Sequence, residues 1–187
     1  MKIIYLHGFG SSGKSAKSDA LKAVFGDDHV EAPNLPINPR SVVEMVQSIV
    51  KNNKDEPIVF VGTSLGGFYA HYFSTKFDAP CVLVNPSTEP HITMRERLGK
   101  SKNYATGEDF WVTEDFIDEW EAMATEIAFD QNGANIHLFL AADDDVLNPE
   151  VARKNIPYIK SLTVTEDGGH RYDLHWDKVI EAIKTIA

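Results

Sequence analysis

The stretch PIVFVGTSLGGFYAHY, residues 57–72, decides how the chain is read. It opens on an unbroken apolar run, Ile58-Val59-Phe60-Val61. It then turns through Gly62-Thr63-Ser64-Leu65-Gly66-Gly67 and continues as a segment able to form a helix. A short run rich in β-branched residues and closed by glycine predicts a buried strand. Strand, glycine-flanked serine and helix in that order make the G-x-S-x-G elbow pattern. The turn forces its serine into a strained conformation and lifts the hydroxyl above the sheet edge. The helix start behind it offers free N–H groups and a positive dipole end to a developing oxyanion. Ser64 is therefore the candidate nucleophile, with Gly62 and Gly66 as the elbow glycines. A tight strand–helix turn favours small residues whatever its function, so the rest of the chain has to supply the context.

Outward from the elbow, apolar runs at residues 2–6, 81–84, 136–141 and 162–165 read as further strands, with a short candidate at 29–32. Helical segments fall between them. Residues 15–25 carry Ala20, Leu21, Val24 and Phe25 on one side. A second helix is expected to open at Ser41, whose spacing to Glu44 suits a capping box, with Val42, Met45, Val46, Ile49 and Val50 as its stripe. Later come 149–155 and a closing amphipathic helix over 172–186, with Trp176, Val179, Ile180 and Ile183 inward. Residues 131–135 read as a turn. Strands that are apolar throughout and alternate with helices predict an α/β fold, a mostly parallel sheet of about six strands covered on both faces. Residues 86–128 break the rhythm. They are mixed and aromatic, with Phe116, Trp120, Met123 and Ile127 at helical spacing, and read as a cap inserted into a single domain spanning 1–187.

The 187 residues carry a net charge of −10, with 43% hydrophobic and 25% charged residues. This balance suits a globular protein and opposes nucleic-acid binding, which depends on neutralising phosphates. One cysteine, Cys81, precludes an intramolecular disulfide. No stretch has the apolar length of a membrane span, and the N-terminal apolar run is too short for a signal peptide. The expected location is cytoplasmic. The composition does not set the oligomeric state.

In a parallel sheet, polar residues just past the strand ends gather at the carboxyl edge. Here they are His7-Gly8-Phe9, Ser64, Asp143-Asp144-Asp145 and Asp167-Gly168-Gly169-His170. The order Ser, Asp, His is that of an α/β-hydrolase. His170 would take the Ser64 proton, and an aspartate would hold the imidazole tautomer. Asp144, followed by Asp145 and then Val146 and Leu147, is the first candidate, and Asp143 the second. The like charge of Asp143 is expected to raise the Asp144 pKa. Backbone N–H groups of Leu65 and Phe9 would bind the oxyanion. His7 reads as a shaper of that loop rather than a base. The remaining histidines, His29, His71, His91, His137 and His175, read as surface or packing residues. No metal or cofactor is called for.

One competing pattern is present. Residues 8–15, GFGSSGKS, match the phosphate-binding G-x-x-x-x-G-K-[ST] loop between a strand and a helix. A nucleotide-binding reading would use this loop but leave Ser64 and His170 without a role. A third reading is a non-catalytic interaction module on the hydrolase fold. Arg95, Arg97, Lys100 and Lys102 in the insertion read as a solvated face, or as an attraction for anionic substrates.

Several stretches together resemble the small bacterial esterases of the YqiA/YcfP type within the α/β-hydrolase superfamily. They are IIYLHGFGSSGKSAKSDALK (3–22), VGTSLGGFYA (61–70), Val84-Asn85-Pro86, LGKSKNYATGEDF (98–110), DDDVLN (143–148) and DGGHRY (167–172). The resemblance implies a Ser64–Asp144–His170 triad and hydrolysis of small-molecule carboxylic esters or acyl thioesters. Two departures stand out: Asp143 where similar proteins carry Gly, and Asp167-Gly168-Gly169-His170 where they tend to carry Gly-Gly-x-His.

Overall fold

The structure is a computed structural model that describes residues 1–128 and 135–186. In chain order the elements are β1 (Lys2–Leu6), α1 (Ala16–Phe25), β2 (Val30–Glu31), α2 (Pro39–Asn52), β3 (Ile58–Thr63), α3 (Leu65–Phe77) and β4 (Cys81–Val84). There follow α4 (Pro90–Thr93), β5 (Gly99–Lys102), β6 (Asp109–Val112) and α5 (Glu114–Ala128). The chain closes with β7 (Ile136–Ala141), α6 (Pro149–Asn155), β8 (Ser161–Thr165) and α7 (Trp176–Ile186).

Six strands form one parallel sheet in the order β2-β1-β3-β4-β7-β8. The central strands are apolar on both faces because both faces are covered. Ile4, Leu6, Phe60, Leu83 and Leu138 face the core shared with α2, α3 and α5. Their neighbours Ile3, Tyr5, Val59, Val61, Val82, Val84 and Phe139 face the core shared with α1 and α7. The elbow helix α3 is buried from Leu65 to Ser74. It sits close against the sheet because two glycines let backbone meet backbone. A Cβ on Gly66 would overlap the Leu6 carbonyl, and one on Gly62 would overlap the Gly66 carbonyl.

Several expectations shift. The short strand at 29–32 contracts to Val30–Glu31. Helix α2 begins at Pro39, and its cap is Asn38, whose Oδ1 accepts the Ser41 N–H at 3.2 Å. Proline at the first turn needs no N–H partner, so the Asn-Pro pair outcompetes the Ser41 start. The closing helix begins at Trp176, after a 3-10 turn at Asp173–His175 and a left-handed Tyr172. The turn at 131–135 falls, except for its last residue, outside the described residues. Within 86–128 lies an antiparallel hairpin, β5–β6, that the aromatic pattern did not disclose. Its Lys100 and Lys102 are exposed and β5 has no apolar residue, while the short Phe110-Trp111-Val112 run of β6 leaves Trp111 exposed.

Helix α5 does form, and it buries Ile117, Trp120 and Met123. Trp120 Nε1 donates to Tyr69 Oη at 2.8 Å, which joins α5 to α3 inside the core. Gly66→Ala is expected to destabilise the fold by about 3 kcal/mol, since neither backbone segment at the contact can retreat. Urea denaturation checks this, and a wild-type midpoint would show that the contact is loose.

Candidate active site

Strand β3 delivers Ser64 to the carboxyl edge of the sheet with φ 54° and ψ −124°. A non-glycine residue rarely adopts this conformation, and holding it costs about 1–3 kcal/mol. The neighbours hold it on both sides. The Ser64 N–H donates to the Val84 carbonyl at 3.1 Å. The Ser64 carbonyl accepts from the amides of Gly67 at 2.9 Å, Ser87 at 3.0 Å and Phe68 at 3.3 Å. The side chain gains no capping role and stays available for other partners.

Strand β7 ends at Ala141, and Asp144 follows in the next turn. Strand β8 ends at Thr165, and His170 follows through Gly168 and Gly169, both at positive φ. These returns bring the three side chains into one hydrogen-bonded line. Ser64 Oγ lies 2.9 Å from His170 Nε2. His170 Nδ1 lies 2.9 Å from Asp144 Oδ2 and 3.0 Å from Oδ1. The Asp144 side chain is only 1% exposed, against 20% for His170. Burial pushes the Asp144 carboxyl up. Its hydrogen bond to His170, with those from the Leu147 and Val146 amides at 2.9 Å, outweighs burial and leaves it below the ordinary carboxylate range. The rise expected from Asp143 does not occur. Asp143 is exposed, and its Oδ1 accepts the Gly169 N–H at 2.8 Å. The two candidate acids are thus separated: Asp144 faces the imidazole, and Asp143 fastens the turn before it.

Leu65 is the first residue of α3, where amides have no earlier turn to bond. Gly8 brings the first loop against the elbow, since a Cβ there would lie 3.2 Å from Ser64 Cβ and 3.7 Å from Ser64 Oγ. Phe9 is the next residue. Its ring meets Phe110 of the hairpin edge-on, with centroids 5.4 Å apart. The hairpin turn is bonded to the same loop, through Tyr104 N–H to the Gly10 carbonyl at 2.7 Å and Asn103 Nδ2 to the Ser11 carbonyl at 3.1 Å.

His7 is buried beneath this loop with both ring nitrogens engaged. Nδ1 donates to the Gly8 carbonyl at 2.8 Å, and Nε2 accepts from the Leu35 amide at 2.9 Å. This pattern requires the neutral ring, and burial lowers its pKa despite the Gly8 carbonyl. The phosphate-loop pattern takes another form here. The Gly13 N–H is consumed by Asn34 Oδ1 at 2.8 Å, Ser15 caps α1, and Lys14 points to solvent. A phosphate cradle needs those amides free. Arg95 pairs with Glu114, and Lys100 and Lys102 both pair with Asp109, which favours the solvated reading of the basic stretch. Among the described residues, no group of three or more His, Cys, Asp or Glu side chains comes together as a metal site. No helix of the described residues is long and apolar enough to cross a membrane.

Comparison with known proteins adds the family. Residues 2–186 match the model of an uncharacterised protein family, UPF0227. The chain belongs to this family. A UPF0227 protein of Pectobacterium atrosepticum, ECA1814, is 28% identical over 107 residues, covering 54% of this chain and 59% of that protein. The UPF0227 protein YcfP of Escherichia coli is 22% identical over 195 residues, covering 98% of this chain and 99% of YcfP. Among solved structures, a putative hydrolase from Agrobacterium vitis superposes with a TM-score of 0.77 at 19% identity, covering 99% of this chain and 87% of that one. A monoacylglycerol lipase from Paleococcus ferrophilus superposes with a TM-score of 0.75 at 11% identity, covering 99% and 94%. Sequence and structure thus agree on a YcfP-type chain with the α/β-hydrolase fold.

The residues that sequence reasoning missed are the partners of the loops. Asn85 stands in the Val84-Asn85-Pro86 stretch and Tyr69 in the elbow stretch, but neither pattern gives them a role, and Leu35 and Ile37 have no motif around them. The neutral His7 generates a stability test. Its folded pKa lies below the ordinary value of about 6.5, so the unfolded chain takes the proton first. Stability held above about pH 6.5 is lost as pH falls through the folded value. His137, also lowered by burial and then by Lys160, acts in the same direction. The wild-type thermal midpoint should drop between about pH 7.5 and pH 5.5, and His7→Gln should remove part of that drop. An identical drop in the variant would contradict the assignment.

Proposed function

We propose that this chain is a serine hydrolase that cleaves carboxylic esters or acyl thioesters through an acyl-enzyme. The observation that carries the reading is the unbroken line Ser64 Oγ–His170 Nε2 and His170 Nδ1–Asp144, at 2.9 Å for each link. Ser64 Oγ attacks the acyl carbon while His170 Nε2 accepts its proton. Asp144, held ionised, accepts the Nδ1–H and stabilises the imidazolium. The amides of Leu65 and Phe9 receive the negative charge on the carbonyl oxygen, aided by the N-terminus of α3. His170 then protonates the departing alcohol or thiol. A water molecule, deprotonated by the same imidazole, releases the acid and restores Ser64. No step calls for a metal ion. The structural neighbour from Paleococcus, a monoacylglycerol lipase, is consistent with this chemistry.

The space next to Leu65, the residue after the candidate nucleophile, supports a short acyl group. A small cavity of about 20 Å³ lies next to Leu65, lined by Phe9, Leu35, Pro36, Ile37 and Tyr69. That volume holds about one water or methyl group. Tyr69 is fixed by Trp120, and Phe9 by Phe110, so the walls are braced. A larger groove of about 610 Å³ runs along Asp144, Val146, Pro149 and Val164; neither Ser64 nor His170 lines it or the small cavity, and we assign the acyl group to the small one because Leu65 and the first loop form its walls. We read residues 86–128 as a cap over the first loop in a single domain.

A series of aryl esters from two to eight acyl carbons tests both parts. Ser64→Ala should lower kcat by about 10³-fold or more. Undiminished hydrolysis in that variant would sink the reading. Acetate should be the preferred acyl group, with kcat/KM falling about tenfold or more by the hexanoate, and Leu35→Ala should restore the longer chain. A flat chain-length profile would remove the cavity from the acyl site.

A further inference from the structure

We propose that Asn85 is a positioning residue: its carboxamide sets the reach of His170 toward Ser64. The inference rests on the hydrolase reading above. Asn85 follows β4, the strand between the one that carries Ser64 and the one that leads to Asp144. It is 2% exposed and adopts φ 41°, a left-handed conformation that asparagine tolerates better than most residues. Its backbone N–H donates to the Phe139 carbonyl at 2.9 Å and so stays within the ladder.

The side chain reaches two segments at once. Asn85 Oδ1 accepts the Ala141 N–H at 2.9 Å, three residues before Asp144. Asn85 Nδ2 donates to the Gly169 carbonyl at 3.0 Å and to the His170 carbonyl at 3.1 Å. The amide orientation is dictated by its partners. An N–H needs the oxygen and two carbonyls need the nitrogen, so a flipped amide would set like against like at every contact. One buried side chain therefore joins the root of the acid turn to the backbone of the base.

The histidine loop has need of such an anchor. His170 is reached through Gly168 and Gly169, and glycines leave the backbone many conformations. Asp143 holds the loop from the Gly169 amide on its exposed side. Asn85 holds it from the carbonyl side, inside the protein. Without that inner hold, the imidazole can drift relative to Ser64 Oγ, and displacement by about 1 Å costs as much as 10²-fold in rate. A residue that merely ended β4 would need only the left-handed backbone, which glycine supplies as well. The carboxamide is what the loop uses.

Asn85→Gly and Asn85→Asp separate these roles in the full chain. Glycine keeps the backbone conformation. Aspartate keeps an acceptor for Ala141 but replaces the donors with a carboxylate facing two carbonyls. In both variants, with folding verified by near-UV circular dichroism, kcat on an aryl acetate should fall about ten- to hundredfold with KM within about twofold. The low-field proton resonance of His170 Nδ1–H should broaden or vanish. Folded variants with wild-type kcat and an unaltered His170 resonance would overturn the proposal, even if their thermal midpoints were lower. Ser64→Ala, run alongside, isolates the underlying reading. Should that variant keep its activity, the hydrolase reading fails, and the His170 resonance still decides the role of Asn85: loss supports the anchor and persistence refutes it.

Discussion

The close approach of α3 to β1 and β3 is the contact on which the rest of the site depends. Gly62 and Gly66 have no side chain, so the elbow backbone lies directly on the carbonyls of neighbouring segments. That approach makes Ser64 leave the strand at positive φ and enter a helix at the next residue. It also turns the Gly67 and Phe68 amides onto the Ser64 carbonyl, at 2.9 and 3.3 Å. The strain at Ser64 persists because β4 and the segment after it bind its N–H and carbonyl. Position and backbone conformation at the candidate nucleophile thus share one packing cause.

The other groups meet this fixed point through loops, and the loops are fastened to each other. The first loop is supported below by the neutral His7 and above by the β5–β6 hairpin. The His170 loop is gripped by Asp143 outside and Asn85 inside. Asp144 is steadied by two amides of its own turn. Short polar contacts of this kind add directional constraints at the sheet edge to the apolar packing of Phe9, Leu35 and Tyr172. The same bracing narrows the cavity beside Leu65, because Phe9 and Tyr69 are each held by a residue of the 86–128 segment.

The sheet was legible because strands buried on both faces leave unbroken apolar runs, and the elbow was legible because its glycines answer a steric demand. Strand-end positions for Ser64, Asp144 and His170 followed from parallel topology. The hairpin is not legible in the sequence because Gly99–Lys102 alternates charged and small residues and has no strand-like run. The start of α2 lies before Ser41 because Asn38 and Pro39 compete with Ser41 through local hydrogen bonding that spacing alone does not rank. Asn85 was invisible as a functional residue because its partners lie 56 to 85 positions away, beyond any local pattern. The split between Asp143 and Asp144 likewise depends on which carboxylate turns inward, a property of the folded loop.

The central claim is that Ser64 is an activated nucleophile. Treating the protein with a fluorophosphonate, weighing the intact chain and mapping the modified peptide tests it most directly. One adduct per chain is expected, located on Ser64, absent in Ser64→Ala and formed far more slowly in His170→Ala. An unmodified chain at saturating probe, or an adduct on another residue, would contradict it.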